Sequence, residues 1–237
     1  MADIKINGAT PSAFYVGSTA ASAVYYGSTQ LWPSAPPAPV LPSKTIRCKF
    51  ATGYTPTMGD SRTLVDSSEN IWDIYKSGDD WGTLFYNNTS LVSVIAANTT
   101  GVTNMGTMFC KTNLTTVPLF DTSSVTNMYD MFNNCTSLTT VPLFDTSSVT
   151  NMGQMFYGCT SLTTVPLFDT SSVTNMGQMF RNCMAVESGA LALYQQASTQ
   201  TTPPQYHTLT FKNCGANTIP GDAELAQIPS SWGGNGA

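Results

Sequence analysis

Apolar positions along this chain follow two periods within one short unit. Val149, Met152, Met155 and Phe156 fall at i, i+3, i+6 and i+7, the spacing of one face of a short helix or helical turn. Leu138, Val141 and Leu143 instead mark a short extended segment, and Pro142, lacking a backbone donor, limits its length. Between these runs lies Asp145-Thr146-Ser147-Ser148, whose side-chain oxygens suit the capping of a helix N-terminus. The unit then recurs. Residues 136–152, TSLTTVPLFDTSSVTNM, are repeated identically at 160–176, and residues 114–128 carry the same text from its Leu onward. Asp121, Asp145 and Asp169 mark a period of 24 residues, as do Phe132, Phe156 and Phe180. Phe109 begins a copy one residue shorter and Phe85 a degenerate one, which makes five related rungs between about Trp81 and Cys183. A single rung buries too little apolar surface to offset the entropy of ordering it. Stacked rungs share that burial, so the pattern predicts an α/β solenoid with short parallel strands, helical turns and capped ends.

The flanks differ from the repeats. Ile46, Cys48 and Phe50 alternate with Arg47 and Lys49, which predicts a half-buried strand in an N-terminal cap over 44–80. Asp79-Asp80 before Trp81, Leu84 and Phe85 reads as a capped amphipathic turn leading into the first of five repeats at 81–184. A C-terminal cap over 185–237 is expected to hold a helix from Glu187 to Ser198, a strand marked by His207, Leu209 and Phe211, and a short helix from Asp222 to Ile228. At the other end YVGST (15–19) recurs as YYGST (25–29), each an aromatic strand-like run with a Gly-Ser-Thr turn. Residues 33–43, PSAPPAPVLPS, form a proline-rich, semi-rigid linker. Residues 1–32 are too few for a core of their own, so this β-rich module is expected to dock on copies of itself or on a larger partner.

Composition narrows the function classes. Charged residues make up 10% of the chain, against about 25% in an ordinary soluble protein. Nine Lys and Arg in a chain of net charge −5 form no basic stripe, which argues against nucleic-acid binding. No apolar run is long enough to span a membrane, and the first residues lack the pattern of a secretory signal. One histidine, His207, and few carboxylates leave little for acid–base chemistry, so no enzyme and no cofactor are expected.

The text FDTSSVTNMxxMFxxCTSLTTVPL over residues 81–184 resembles the BspA-like leucine-rich repeat family. That resemblance implies a right-handed horseshoe with parallel strands on one face and helical turns on the other. It also implies display on cell surfaces or virions and binding of host molecules. The N-terminal ATPSAFYVGSTAASAVYYGSTQLWP is similar to the leading segment of structural proteins of tailed phages of gut bacteria. The ESGALALYQQAS…FKNCG…AELAQIP segment is similar to the end of many phage or prophage repeat proteins.

Several ladders emerge from the repeat. Cys135, Cys159 and Cys183 share one slot and are read as reduced, buried fillers. Asp121, Asp145 and Asp169 could line up for calcium but are expected to cap their own turns. Asn104, Asn127, Asn151 and Asn175 suit the pairing of buried backbone groups. No metal site is expected. A ligand face would be formed by Thr139, Thr140, Thr163 and Thr164 with Tyr129 and Tyr157 at its rims, a hydroxyl-and-aromatic surface suited to carbohydrate. Tyr15, Val16, Tyr25, Tyr26 and Trp32 are the residues expected to anchor the chain in a particle.

Together these readings point to a non-enzymatic phage virion component assembled in the host cytoplasm, a head fibre, tail fibre or decoration protein. Its expected partners are capsid or tail proteins through residues 1–32, other copies of itself, and a host-surface glycan or protein. Fibres are commonly trimers, although no coiled-coil heptad is present here. The alternative is a bacterial or prophage-encoded surface adhesin with the same repeats.

Overall fold

The computed structural model describes residues 41–236 together with the strand residues 15–16, 19–20, 24–26 and 29–32. The chain divides into two units, 1–41 and 42–237. In the first, β1 (Tyr15–Val16) pairs antiparallel with β2 (Thr19–Ala20), and β3 (Val24–Tyr26) with β4 (Thr29–Trp32). Most of the proline-rich linker, residues 33–40, lies outside the described residues, and so do the side chains of Tyr15, Val16, Tyr25, Tyr26 and Trp32.

The second unit opens with β5 (Thr45–Phe50), β6 (Ser61–Asp66) and β7 (Ile71–Tyr75), which β8 (Leu91–Asn98) joins from within the first rung. They form one antiparallel sheet of order β6-β7-β5-β8. The alternation read in β5 holds: Ile46, Cys48 and Phe50 are buried. On the other face Arg47 donates to both carboxylate oxygens of Asp73, its cross-strand neighbour, at 2.7 and 2.8 Å.

The expected α/β solenoid, a leucine-rich-repeat horseshoe of short parallel strands and helical turns, requires correction. Regular structure among the described residues is mostly the antiparallel sheet. Parallel contacts in the repeats are single bridges, such as Asn127 to Asn151 and Asn151 to Asn175. Among the described residues helix occurs only in α1 (Ala190–Ser198), α2 (Ile219–Leu225) and a 3-10 turn at Ser230–Trp232. Backbone geometry explains why. Each rung places two residues four apart in the left-handed region, among them Asp130 and Asn134 (φ 58° and 56°), Gln154 and Gly158 (55° and 71°), and Gln178 and Asn182 (58° and 64°). A right-handed helix cannot continue through such a residue. The i, i+3 spacing therefore marks two consecutive tight turns, closed by bonds such as Met155 N–H to Met152 O at 3.2 Å and Cys159 N–H to Phe156 O at 3.1 Å.

The remaining turn amides point along the repeat axis. Met128, Asp130, Phe132 and Asn134 donate to the carbonyls of Asn151, Gly153, Met155 and Tyr157, at 2.7–3.0 Å. The same pattern extends to residues the sequence marked as a strand. Phe180 N–H donates to Thr210 O and Asn182 N–H to Lys212 O, both at 2.8 Å, and Leu209 and Asn213 take φ of 60° and 59°. Residues 206–214 thus form a sixth turn. The α1 helix is inserted before it, which removes the 24-residue spacing that would have revealed it. The Glu224 carboxylate, on α2, accepts from the Gly189 and Leu191 amides at 3.2 and 3.0 Å, satisfying free donors at the start of α1.

The core is two columns of phenylalanine. Phe85, Phe109, Phe132, Phe156, Phe180 and Phe211 stack with centroids 5.1–6.1 Å apart. Phe120, Phe144 and Phe168 form the second column, 5.7 and 6.3 Å apart. Beside them Thr99, Thr122 and Thr146 are buried, and their hydroxyls donate to the carbonyls of Asp121, Asp145 and Asp169 at 2.7–2.8 Å. Leu119, Leu143 and Leu167 point outward, so the extended run contributes Phe144 to the core and leaves Leu143 61% exposed.

The cysteine ladder is buried and unbridged, and it is more than filler. Cys135, Cys159 and Cys183 donate their thiols to the carbonyls of Phe109, Phe132 and Phe156 at 2.9–3.1 Å. Burial pushes Cys159 and Cys183 far above an ordinary thiol and Cys110 up to about 11. The thiolate is the reactive form. A maleimide reagent at neutral pH should therefore leave the folded protein unmodified and label all six cysteines once it is unfolded. Rapid labelling in the folded state would contradict the burial.

Candidate recognition face

The copies spanning 121–183 differ from one another at few positions. Between 121–144 and 145–168 four residues change: Tyr129 to Gly153, Asp130 to Gln154, Asn133 to Tyr157 and Asn134 to Gly158. From Asp169 to Cys183 the next copy changes again at Arg181 and Asn182 only. Every changed position lies in the pair of tight turns, on either side of the inward Met-Phe pair.

This turn face carries aromatic residues held from one rung further on. Lys111 Nζ donates to Tyr86 Oη at 3.3 Å and lies 5.5 Å from its ring centre. Gln154 Nε2 donates to Tyr129 Oη at 2.6 Å. The Arg181 guanidinium lies 5.8 Å from the Tyr157 ring centre and is held by the Gln178 side-chain oxygen at 2.9 Å. Tyr86 is exposed, while Tyr129 and Tyr157 are half-buried. Beside Tyr129, burial raises the Asp130 carboxyl above its ordinary range, partly offset by the Asn133 amide that donates to it.

The residues expected to share one ligand face fall into two sets. Thr139 and Thr163 donate their hydroxyls to Thr115 O and Thr139 O at 3.1 and 3.2 Å. Those hydroxyls serve rung-to-rung cohesion. Thr140 and Thr164 remain exposed. Among the described residues no hydrogen bond or ring contact joins this threonine row to Tyr129 or Tyr157. Sequence reasoning missed Tyr86, Lys111, Gln154 and Arg181. For Gln154 and Arg181 the available signal was the restriction of differences among the copies at 121–183 to the positions around each Met-Phe pair.

The aspartate ladder closes its own turns, as expected. Asp121 accepts from the Ser123 amide and hydroxyl at 3.3 and 2.7 Å, and Asp145 from those of Ser147 at 3.1 and 2.7 Å. Among the described residues no three metal-capable side chains come together. Serine hydroxyls, with the amides beside them, hold Asp60, Asp66, Asp121 and Asp145 below the usual carboxylate range. A lowered folded value stabilises above the unfolded value and is lost as pH falls through it. Asp130, with its raised value, acts in the opposite sense. With four groups against one, the melting temperature should hold between about pH 7 and pH 5 and fall below about pH 4. A thermal melt series across that range checks this, and a melting temperature that rises on acidification would contradict it.

A family model described as a Mycoplasma protein of unknown function, DUF285, matches residues 79–194, just under half of the chain. The match covers the repeats and the start of the C-terminal region. No curated protein and no solved structure matches the chain.

Proposed function

We propose that this chain is a non-enzymatic virion component of a tailed phage, a head fibre, tail fibre or decoration protein. It attaches to the particle through residues 1–32 and presents its repeats to the host surface. The observation that carries the adhesive part is twofold: the differences among the copies at 121–183 are confined to the turn face, and on that face Tyr86, Tyr129 and Tyr157 are each braced from the next rung. Packing holds the inward positions identical across the copies at 121–183, whereas a face that meets a partner is free to differ. The assignment to a virion is supported by the resemblance of residues 9–33 to the leading segment of phage structural proteins. The test is incorporation. Particles purified from a producing lysate should contain the chain, and deletion of residues 1–32 should remove it from them. Absence from wild-type particles, or retention after the deletion, overturns the anchoring role. Replacing Tyr86, Tyr129 and Tyr157 together should lower adsorption of particles to host cells at least tenfold, and unchanged adsorption overturns the adhesive role.

A further inference from the structure

We infer that the cleft over the first three rungs binds one neutral sugar ring, with Tyr129 as its stacking wall. This deepens the reading of the turn face as a recognition surface and rests on it. The cleft has a volume of about 280 Å³ and is lined by Asp80, Gly82, Thr83, Gly106, Thr107 and Tyr129 among others.

Tyr129 is anomalous within its own column. The equivalent position is glycine in the other four rungs, at Gly82, Gly106, Gly153 and Gly177, and the small Thr208 in the sixth turn. Glycine leaves room for the asparagine ladder: a Cβ on Gly106 would lie 2.9 Å from Asn127 Nδ2, and one on Gly153 2.8 Å from Asn175 Nδ2. With glycine in place, Asn104 donates to Asp80, Asn127 to Asn104 and Asn175 to Asn151, at 2.9–3.0 Å. At Tyr129 the column carries a Cβ, and the corresponding bond from Asn151 to Asn127 is the one not made. The tyrosine therefore displaces a cohesive hydrogen bond. Its phenol is held by Gln154, which acts as a positioning residue.

The groups around the cleft match a neutral polyol. Gly82 and Gly106 provide a floor without side chains. The hydroxyls of Thr83 and Thr107 have no partner among the described residues, unlike those of Thr139 and Thr163. Asp80 uses Oδ1 to accept from the Gly82 amide and the Asn104 side chain, at 2.8 and 2.9 Å, which leaves Oδ2 for a ligand hydroxyl. Sugar C–H groups pack on an aromatic face while the ring hydroxyls donate to a carboxylate and exchange hydrogen bonds with side-chain hydroxyls. No cationic side chain lines the cleft, so an anionic ligand would meet Asp80 without compensation.

The test uses the full chain and saturation-transfer NMR. The probes are neutral methyl glycosides (glucoside, galactoside, mannoside, N-acetylglucosaminide and rhamnoside), with glucuronate and N-acetylneuraminate as anionic probes. At least one neutral glycoside should receive saturation at millimolar concentration, and the anionic probes none. Y129G installs the residue found in the other rungs and should fold, as a thermal melt will verify. It should weaken binding at least tenfold, T107V severalfold, and L143A, an exposed position outside the cleft, not at all. Q154A should weaken binding and Q154E less so, since the carboxylate can still pair with the phenol. Absence of any neutral signal, binding confined to the anionic probes, or binding that survives Y129G overturns the inference. If these fail while particles carrying the triple tyrosine replacement lose adsorption, the sugar site falls and the adhesive role stands. If adsorption is unchanged in those particles, the underlying reading falls as well.

Discussion

Replacing Phe156 with alanine should lower the unfolding free energy by about 3–5 kcal/mol. The ring is fully buried and stacks on three others: Phe132 at 5.5 Å, Phe180 at 5.1 Å and Phe168 at 6.1 Å. Truncation opens a cavity bounded by rungs that are tied to one another by backbone hydrogen bonds, so the walls cannot close over it. Leu143, of similar hydrophobicity but 61% exposed, is the internal control. Its replacement by alanine should change stability by less than about 0.5 kcal/mol. Denaturant titration of the two variants decides the matter, and a Phe156 variant within about 1 kcal/mol of wild type would contradict the stacked core.

Removing a whole rung should be tolerated, and removing half of one should not. Deletion of residues 145–168 joins Phe144 to Asp169, the same residue pair found at Phe144–Asp145 and Phe168–Asp169. Rung three then meets a copy with equivalent donors, phenylalanines and left-handed positions, Gln178 standing where Gln154 stood. One rung interface is lost, so a single cooperative transition at lower temperature is expected. Deletion of residues 145–156 instead removes the left-handed Gln154 while keeping Gly158, and it takes Phe156 out of the first aromatic column. No register then satisfies both the phenylalanine columns and the inter-rung hydrogen bonds, and cooperative unfolding should disappear. Calorimetry and circular dichroism on the two deletions give the answer. Equal behaviour would mean that the 24-residue register does not organise the repeats.

The anomaly at Tyr129 shows how far sequence comparison between rungs can reach. Its departure from glycine is visible in the letters alone. Its physical meaning needed the asparagine ladder, because only the stacked rungs reveal which amide bond a Cβ at that position displaces. The threonines illustrate the converse. Thr139 and Thr146 look equally available in the text. Yet one lies on an outer row donating to Thr115 O, and the other is buried and donates to Asp169 O.

Period, rung boundaries and the inward set Val149, Met152, Met155 and Phe156 follow from the sequence by itself, because burial repeats with the text and each copy meets the same surroundings. The strand at Ile46, Cys48 and Phe50 was legible for the same reason: two-residue alternation reflects a sheet with one buried face. Three things were decided only by tertiary structure. Whether an i, i+3 pattern becomes helix or paired tight turns depends on left-handed residues that neighbouring rungs hold in place through backbone bonds, and Asp130, Gln154 and Gln178 do not announce that conformation. The sixth turn at 206–214 is recognised by its bonds to rung five, since the insertion of α1 breaks its spacing. The bracing of Tyr86, Tyr129 and Tyr157 joins residues 24 or 25 positions apart, a relation that exists only once the rungs are stacked.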